Sequence, residues 1–159
     1  MTYAIEVAPG TALRKDALET CVSVIREGGA VDASSAAKQL PKAKSVATVR
    51  ANGQIVGVGA VKNSRPDYAS DIAKKSGFPF DSNMLELGYV TRSPSHRGHR
   101  LSEQIVGKLI EAVKGVPLFA TTSHETMKGT LSNAGFVQQG HAWTGRNKNE
   151  ISLWVKQAG

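Results

Sequence analysis

Apolar positions along the chain change period several times, and each change marks an element. Residues 2–8, TYAIEVA, alternate as a strand does, and Pro9-Gly10 ends the run. Leu13, Ala17, Cys21 and Ile25, widened by Leu18 and Val22, then recur at helical spacing. Thr11 is placed to cap this helix and Gly28-Gly29 to stop it. A polar helical patch around 32–39 and Pro41 lead into SVATVRANGQIVGVGAVK, where two β-branched runs flank Asn52-Gly53 as in a hairpin. Residues 65–81 interrupt the strand pattern with turn residues and a short helical stretch. MLELGYVT (84–91) reads as strand again, and Leu101, Ile105, Leu109 and Val113 give the apolar face of a helix over 100–113. VPLFATT (116–122) has the composition of a short buried strand. Ser123 is placed to cap a helix over 124–134 that Gly135 ends, and FVQQGHAW with ISLWVK forms a last strand pair. The order β-α-α-β-β-β-α-β-α-β-β predicts an α+β chain, a mixed sheet with helices on its faces.

Composition narrows the class. At 159 residues, 40% of them hydrophobic, the chain is expected to form a single domain over 1–159 with a substantial core. Twenty Lys and Arg against 13 Asp and Glu leave a net charge of +7, which points to an anionic partner: nucleic acid, a membrane surface or a polyphosphate cofactor. The single Cys21 excludes an intramolecular disulfide framework and fits a reducing cytosol. It lies on the apolar face of the first helix without a basic neighbour in sequence, so it reads as core packing rather than as a nucleophile. MTYAIEVAPG has no basic segment followed by an apolar run, and no apolar stretch approaches the roughly 20 residues that span a bilayer. A cytoplasmic protein without a membrane partner is expected.

The candidate chemistry begins at SHRGHRLSEQIVGKLIEAV (95–113), where His96, Arg97, His99 and Arg100 surround Gly98 at a helix start. A helix N-terminus presents unpaired N–H groups and the positive end of the macrodipole, so added positive charge there makes a seat for phosphate. ELGYVTRSPSHRGHRLSEQIV resembles the acetyl-CoA-binding segment of the GNAT superfamily of N-acetyltransferases, which carries a Q/R-x-x-G-x-G/A loop between its fourth strand and third helix. Arg97 and Gly98 stand as the common Arg-Gly pair, Leu101 at the aliphatic position and Ser102 at the final small residue. Arg100 occupies a position where glycine is expected. SHETMKGTLSNAGFV resembles the family's last helix, with Gly135-Phe136 opening the sixth strand, and the order of elements fits over nearly the whole chain.

The resemblance implies the GNAT fold, a three-layer arrangement with a mostly antiparallel sheet of about seven strands flanked by about four helices. It implies acetyl-CoA as co-substrate, its pantetheine arm in a V-shaped opening between the fourth and fifth strands. Val90 and Arg92 would bond that arm through their backbone, with Thr91 between them. Arg97, Gly98, His99, Arg100, Leu101 and Ser102 would take the pyrophosphate. Glu86 falls where many members carry a general base. The tyrosine that protonates the departing thiolate would stand at Leu131, and Tyr3, Tyr68 and Tyr89 lie elsewhere. Ser123, Thr130 and Ser132 are nearby hydroxyls that read as caps and surface groups.

Tyr68, Phe78 and Phe80 supply apolar surface in an otherwise polar segment, as a substrate-binding lid over the acceptor would. Other chemistries lack their motifs. His124-Glu125 has no second histidine, His96 and His99 have no third ligand, and no G-x-S-x-G occurs, so neither a metal nor a serine nucleophile is expected. The expected activity is acetyl transfer to a primary amine on a small molecule, a peptide or protein, or an aminoacyl-tRNA. The alternative is a degenerate GNAT-fold module that binds CoA or nucleic acid without turnover, favoured by the basic balance and by Leu131. Trp154, opposite the Ile151/Leu153/Val155 face, is a candidate contact for a homodimer.

Overall fold

The computed structural model describes residues 2–28, 33–80, 84–96, 98, 100–145 and 148–158. Its regular elements are β1 (Tyr3–Ala8), α1 (Lys15–Gly28), α2 (Ala33–Gln39), β2 (Ser45–Ala51), β3 (Gln54–Asn63) and α3 (Pro66–Ser76). They continue as β4 (Leu85–Arg92), α4 (Leu101–Ala112), β5 (Leu118–Thr122), α5 (Glu125–Asn133), β6 (Val137–Thr144) and β7 (Glu150–Lys156). The strands form a seven-stranded sheet in the order β1-β2-β3-β4-β5-β7-β6. The registered pairs are antiparallel apart from β4 with β5. By packing, the chain divides into two compact units, Met1–Lys62 with Leu87–Val113 and Asn63–Glu86 with Lys114–Gly159.

In the first unit β1 pairs with β2 from Tyr3↔Ala51 to Ala8↔Val46, and β2 turns back into β3 at Asn52-Gly53. Both turn residues have positive φ (54° and 80°), the conformation that a tight hairpin of matching twist demands. Cys21, Val24 and Ile25 of α1 and Ala36 of α2 pack with Val46, Val58 and Ala60 on one sheet face. Gly59, between two of those residues and so facing the other way, lies against Ile105 and Leu109 of α4. Helices therefore cover both faces of this unit. Burial pushes the Cys21 thiol up to about 11, with Arg50 pulling it the other way, so it stays protonated and serves packing.

Two expected caps are absent. Thr11 belongs to a short 3-10 turn, Gly10–Ala12, after which Leu13 is extended (ψ 123°), so the helix restarts at Lys15. Ser123 does not cap α5, whose N-cap residue is His124; the His124 N–H instead donates to Thr122 Oγ1 at 3.1 Å.

In the second unit the short helical stretch expected within residues 65–81 is α3. Pro66 stands in the first turn of α3, and Gly77 ends the helix with φ 77° while donating its N–H to Ala73 O. These stop and start signals, with Tyr68 and Ile72 one turn apart, make an amphipathic helix that packs on β6 and β7. Ile72 joins Met84, Phe119, Leu153 and Val155 in a core, against which Tyr68, Phe78, Phe80 and Trp143 pack. The Phe80 and Phe119 rings lie 4.7 Å apart. Trp154 is half-buried and donates its indole N–H to Ser152 Oγ at 2.9 Å. Among the described residues no helix is long and apolar enough to cross a membrane.

Gly140 locks α3 to the sheet. It interrupts the β6–β7 register at φ 66°, and a Cβ there would collide with the carbonyl oxygen of Ser76 at the end of α3. Gly140→Ala combines that clash with a left-handed backbone, which alone costs about 1–2 kcal/mol for a residue with a side chain. A clearly lowered melting temperature is expected in a thermal unfolding experiment. An unchanged one would mean that the end of α3 is free to move.

Candidate functional site

β4 carries a left-handed residue in its middle. Tyr89 has φ 57° although it is bulky and lies within a strand, a conformation worth about 1–3 kcal/mol of strain that only surrounding contacts can hold. Those contacts are visible. The Tyr89 hydroxyl shares a hydrogen bond with the Ser35 hydroxyl at 3.1 Å, and the Lys62 ammonium sits 4.4 Å from the ring centroid. The side chain is buried in the same cluster as α1. A break of this kind re-aims the backbone after it, here that of Val90, Thr91 and Arg92, all half-buried.

The chain then runs through a 3-10 turn, Pro94–His96. Tyr3 of β1 steadies that turn, its hydroxyl and His96 Nδ1 sharing a hydrogen bond at 2.9 Å with the two rings edge to face. Gly98 follows at φ 83° and Arg100 at φ 54°, and α4 begins at Leu101. Arg97 and His99 lie outside the described residues. Leu101 is buried and anchors the helix start, while Ser102 is half-buried beside it. Arg100, the N-cap residue, makes no side-chain cap bond, and among the described residues a Cβ at Gly98 would meet no atom within 4 Å.

Main-chain donors at the start of a 12-residue helix thus follow two left-handed residues with open space over the glycine. That arrangement suits an anion. Arg100 keeps the backbone conformation that a glycine would adopt, so the departure from the expected motif changes charge more than path. Its guanidinium is largely exposed, 3.9 Å from the Glu103 carboxylate.

In the second unit Glu86 is 8% exposed and stands in register with Phe119 of β5. The Tyr68 hydroxyl shares a hydrogen bond with Thr121 Oγ1 at 3.2 Å. Burial, reinforced by the Glu86 carboxylate, pushes the Tyr68 phenol up to about 12, while the Thr121 bond and Arg65 act in the opposite direction. Tyr68 therefore keeps its proton at physiological pH. Phe78 and Phe80 border the same core. Leu131 is 1% exposed, so the position expected to carry a tyrosine faces the interior. Thr130 is buried with its hydroxyl donating to Thr126 O within α5, and Ser132 is exposed.

Tyr89, Ser35, Lys62, Tyr3 and Thr121 were not legible as site residues. Gly88-Tyr89 inside a strand pattern is a weak sign of a bulge. The partners of Tyr89 and His96 come from 54 and 93 residues away in sequence, beyond any local signal.

No protein-family model matches the sequence, and no curated protein matches it. Solved structures do match the fold. A GNAT-family acetyltransferase from Streptococcus agalactiae superposes with a TM-score of 0.73 at 15% identity, covering 98% of this chain and 96% of that one. ElaA from Escherichia coli gives 0.72 at 11% identity, covering 98% and 100%. The yncA structure from Salmonella typhimurium, which holds its cofactor acetyl-CoA, gives 0.64 at 17% identity, covering 100% and 95%. The chain has the fold of the GNAT acetyltransferases.

Arg100→Gly separates backbone from charge at the helix start. Relieving a left-handed side-chain-bearing residue returns up to about 1–2 kcal/mol, partly offset by the greater freedom of glycine in the unfolded chain. Chemical denaturation should show stability equal to or above that of the native protein. A loss beyond about 1 kcal/mol would mean that the Arg100 side chain is a structural clamp.

Proposed function

We propose that the protein is an N-acetyltransferase that moves the acetyl group of acetyl-CoA to a primary amine. The observation that carries this reading is the uncapped start of α4 behind left-handed Gly98 and Arg100, directly after β4, in a fold shared with a structure that holds acetyl-CoA. The α4 N–H groups and the basic side chains of the loop would hold the pyrophosphate. The main chain of Val90 and Arg92 would pair with the pantetheine amides, its direction set by the bend at Tyr89. Bound there, acetyl-CoA supplies an activated acyl carbon and a thiolate leaving group.

Glu86 would take the proton that the acceptor ammonium must lose before its nitrogen lone pair can attack, directly or through one water. The C–N bond forms, the C–S bond breaks, and the proton ends on Glu86 or in solvent. Leu131 cannot serve as an acid, and Thr130 is committed within α5. A thiol with an unperturbed pKa near 8.5 leaves tolerably as a thiolate at neutral pH, so the reaction does not depend on an acid from α5. That same Leu131 favours the second reading, a module that binds CoA without turnover.

Acetyl-CoA at about 100 times its dissociation constant should stabilise the fold by roughly 2.7 kcal/mol. Gly98→Asp, which sets a carboxylate on the anion seat, should abolish the shift while far-UV circular dichroism stays native. No shift with the native protein at millimolar acetyl-CoA would rule the reading out. A shift with no acetylated product from any amine, followed by mass spectrometry, would favour the silent module.

Glu86→Gln tests the base. Turnover should fall by about 10²–10⁴-fold near neutral pH and recover in part as the pH rises and free amine accumulates. Equal rates for mutant and native protein at every pH would leave Glu86 a structural residue.

A further inference from the structure

Beneath α3, within the second unit, lies a cavity of about 350 Å³. Pro66, Ala69 and Ala73 of α3 form one wall, and Phe80, Met84 and Phe119 the other. The two alanines stand one helical turn apart, and their small side chains leave the space that larger ones would fill. Ser64 and Ser70 are the polar residues of the lining, and Ser70 and Pro66 are exposed, so the mouth opens to solvent on the α3 side. Among the described residues no charged one lines it.

The floor connects this space to Glu86. Phe119 is the register partner of Glu86, and Thr121, two residues further along the same strand, holds the neutral Tyr68 hydroxyl at 3.2 Å. One side of the cavity thus offers aromatic and aliphatic surface. Next to it stand a carboxylate and a phenol with its proton. Ligand cavities commonly run from about 300 to 1,000 Å³, so this one suits a compact group. A second ammonium or a phosphate inside it would lose hydration without gaining a charged partner among the described residues.

We propose that the cavity under α3 is the acceptor subsite, and that it selects a primary amine carrying one compact, uncharged apolar group, an aromatic ring or a branched alkyl chain. The amino group points toward Glu86, and the ring or alkyl group packs on Phe80 and Phe119. The apolar surface of Phe80, Met84 and Phe119 favours such a group over a polyamine chain. This rests on the acetyltransferase reading and names the substrate class for it.

The test compares 2-phenylethylamine, isoamylamine and spermidine as acceptors for the full-length protein with acetyl-CoA, and measures amine binding by calorimetry alongside. The two apolar amines should show kcat/KM at least about tenfold above spermidine, in line with what a hydrophobic pocket discriminates. Ala69→Phe, which fills the cavity, should weaken binding of 2-phenylethylamine by about tenfold or more and leave the acetyl-CoA thermal shift within a few-fold. Ala73→Leu carries the same expectation if Ala69→Phe fails to fold. Preference for spermidine, or undiminished amine binding in a folded cavity-filled variant, would overturn the subsite while the acetyl-CoA shift stands. Absence of the acetyl-CoA shift in the native protein would overturn the acetyltransferase reading, and the acceptor role of the cavity with it.

Discussion

Tyr89 holds a backbone conformation that a tyrosine does not adopt unaided, and much of the first unit is arranged to hold it there. Ser35 from α2 meets its hydroxyl, Lys62 from the end of β3 lies over its ring, and α1 buries it. Each contact is modest alone, about 0.5–1.5 kcal/mol for a neutral hydrogen bond and a similar figure for a partly exposed cation over a ring. Together with burial they match the strain. The result is a strand that pairs with β5 at its start and carries a left-handed residue before Val90, Thr91 and Arg92. A regular strand could not do both.

The same logic governs the start of α4. Anion binding by backbone needs N–H groups that no side chain has already claimed, and the N-cap residue Arg100 makes no side-chain cap bond. Arg100 takes the left-handed turn that brings the chain into the helix and adds a charge at the same place. Tyr3, reaching from the other end of the sequence to His96, ties the approach to this helix to the edge strand β1.

The sequence carried the element order because period and punctuation are local. Asn52-Gly53, the spacing from Leu101 to Leu109 and Gly135 each announce themselves within a few residues. The start of α4 at Leu101 was legible for the same reason. Residues 65–81 gave only turn residues and a short helical stretch, because the sheet that the Tyr68–Ile72 stripe covers is distant in sequence. The caps at Thr11 and Ser123 failed because a capping residue type does not decide where the backbone turns helical. The clamp on Tyr89 was beyond reach, since positive φ at a non-glycine leaves no mark in the sequence and its partners are distant.

The central claim is that the second half of β4 and the first turn of α4 bind acetyl-CoA through their main chain. Backbone amide signals followed by NMR during titration with acetyl-CoA report this directly, residue by residue. Large changes are expected over residues 88–92 and 98–104, with those of β1 and of the middle of α3 nearly still. Saturable binding that leaves 88–92 and 98–104 unmoved, with its changes concentrated in Pro66–Ser76 instead, would contradict it.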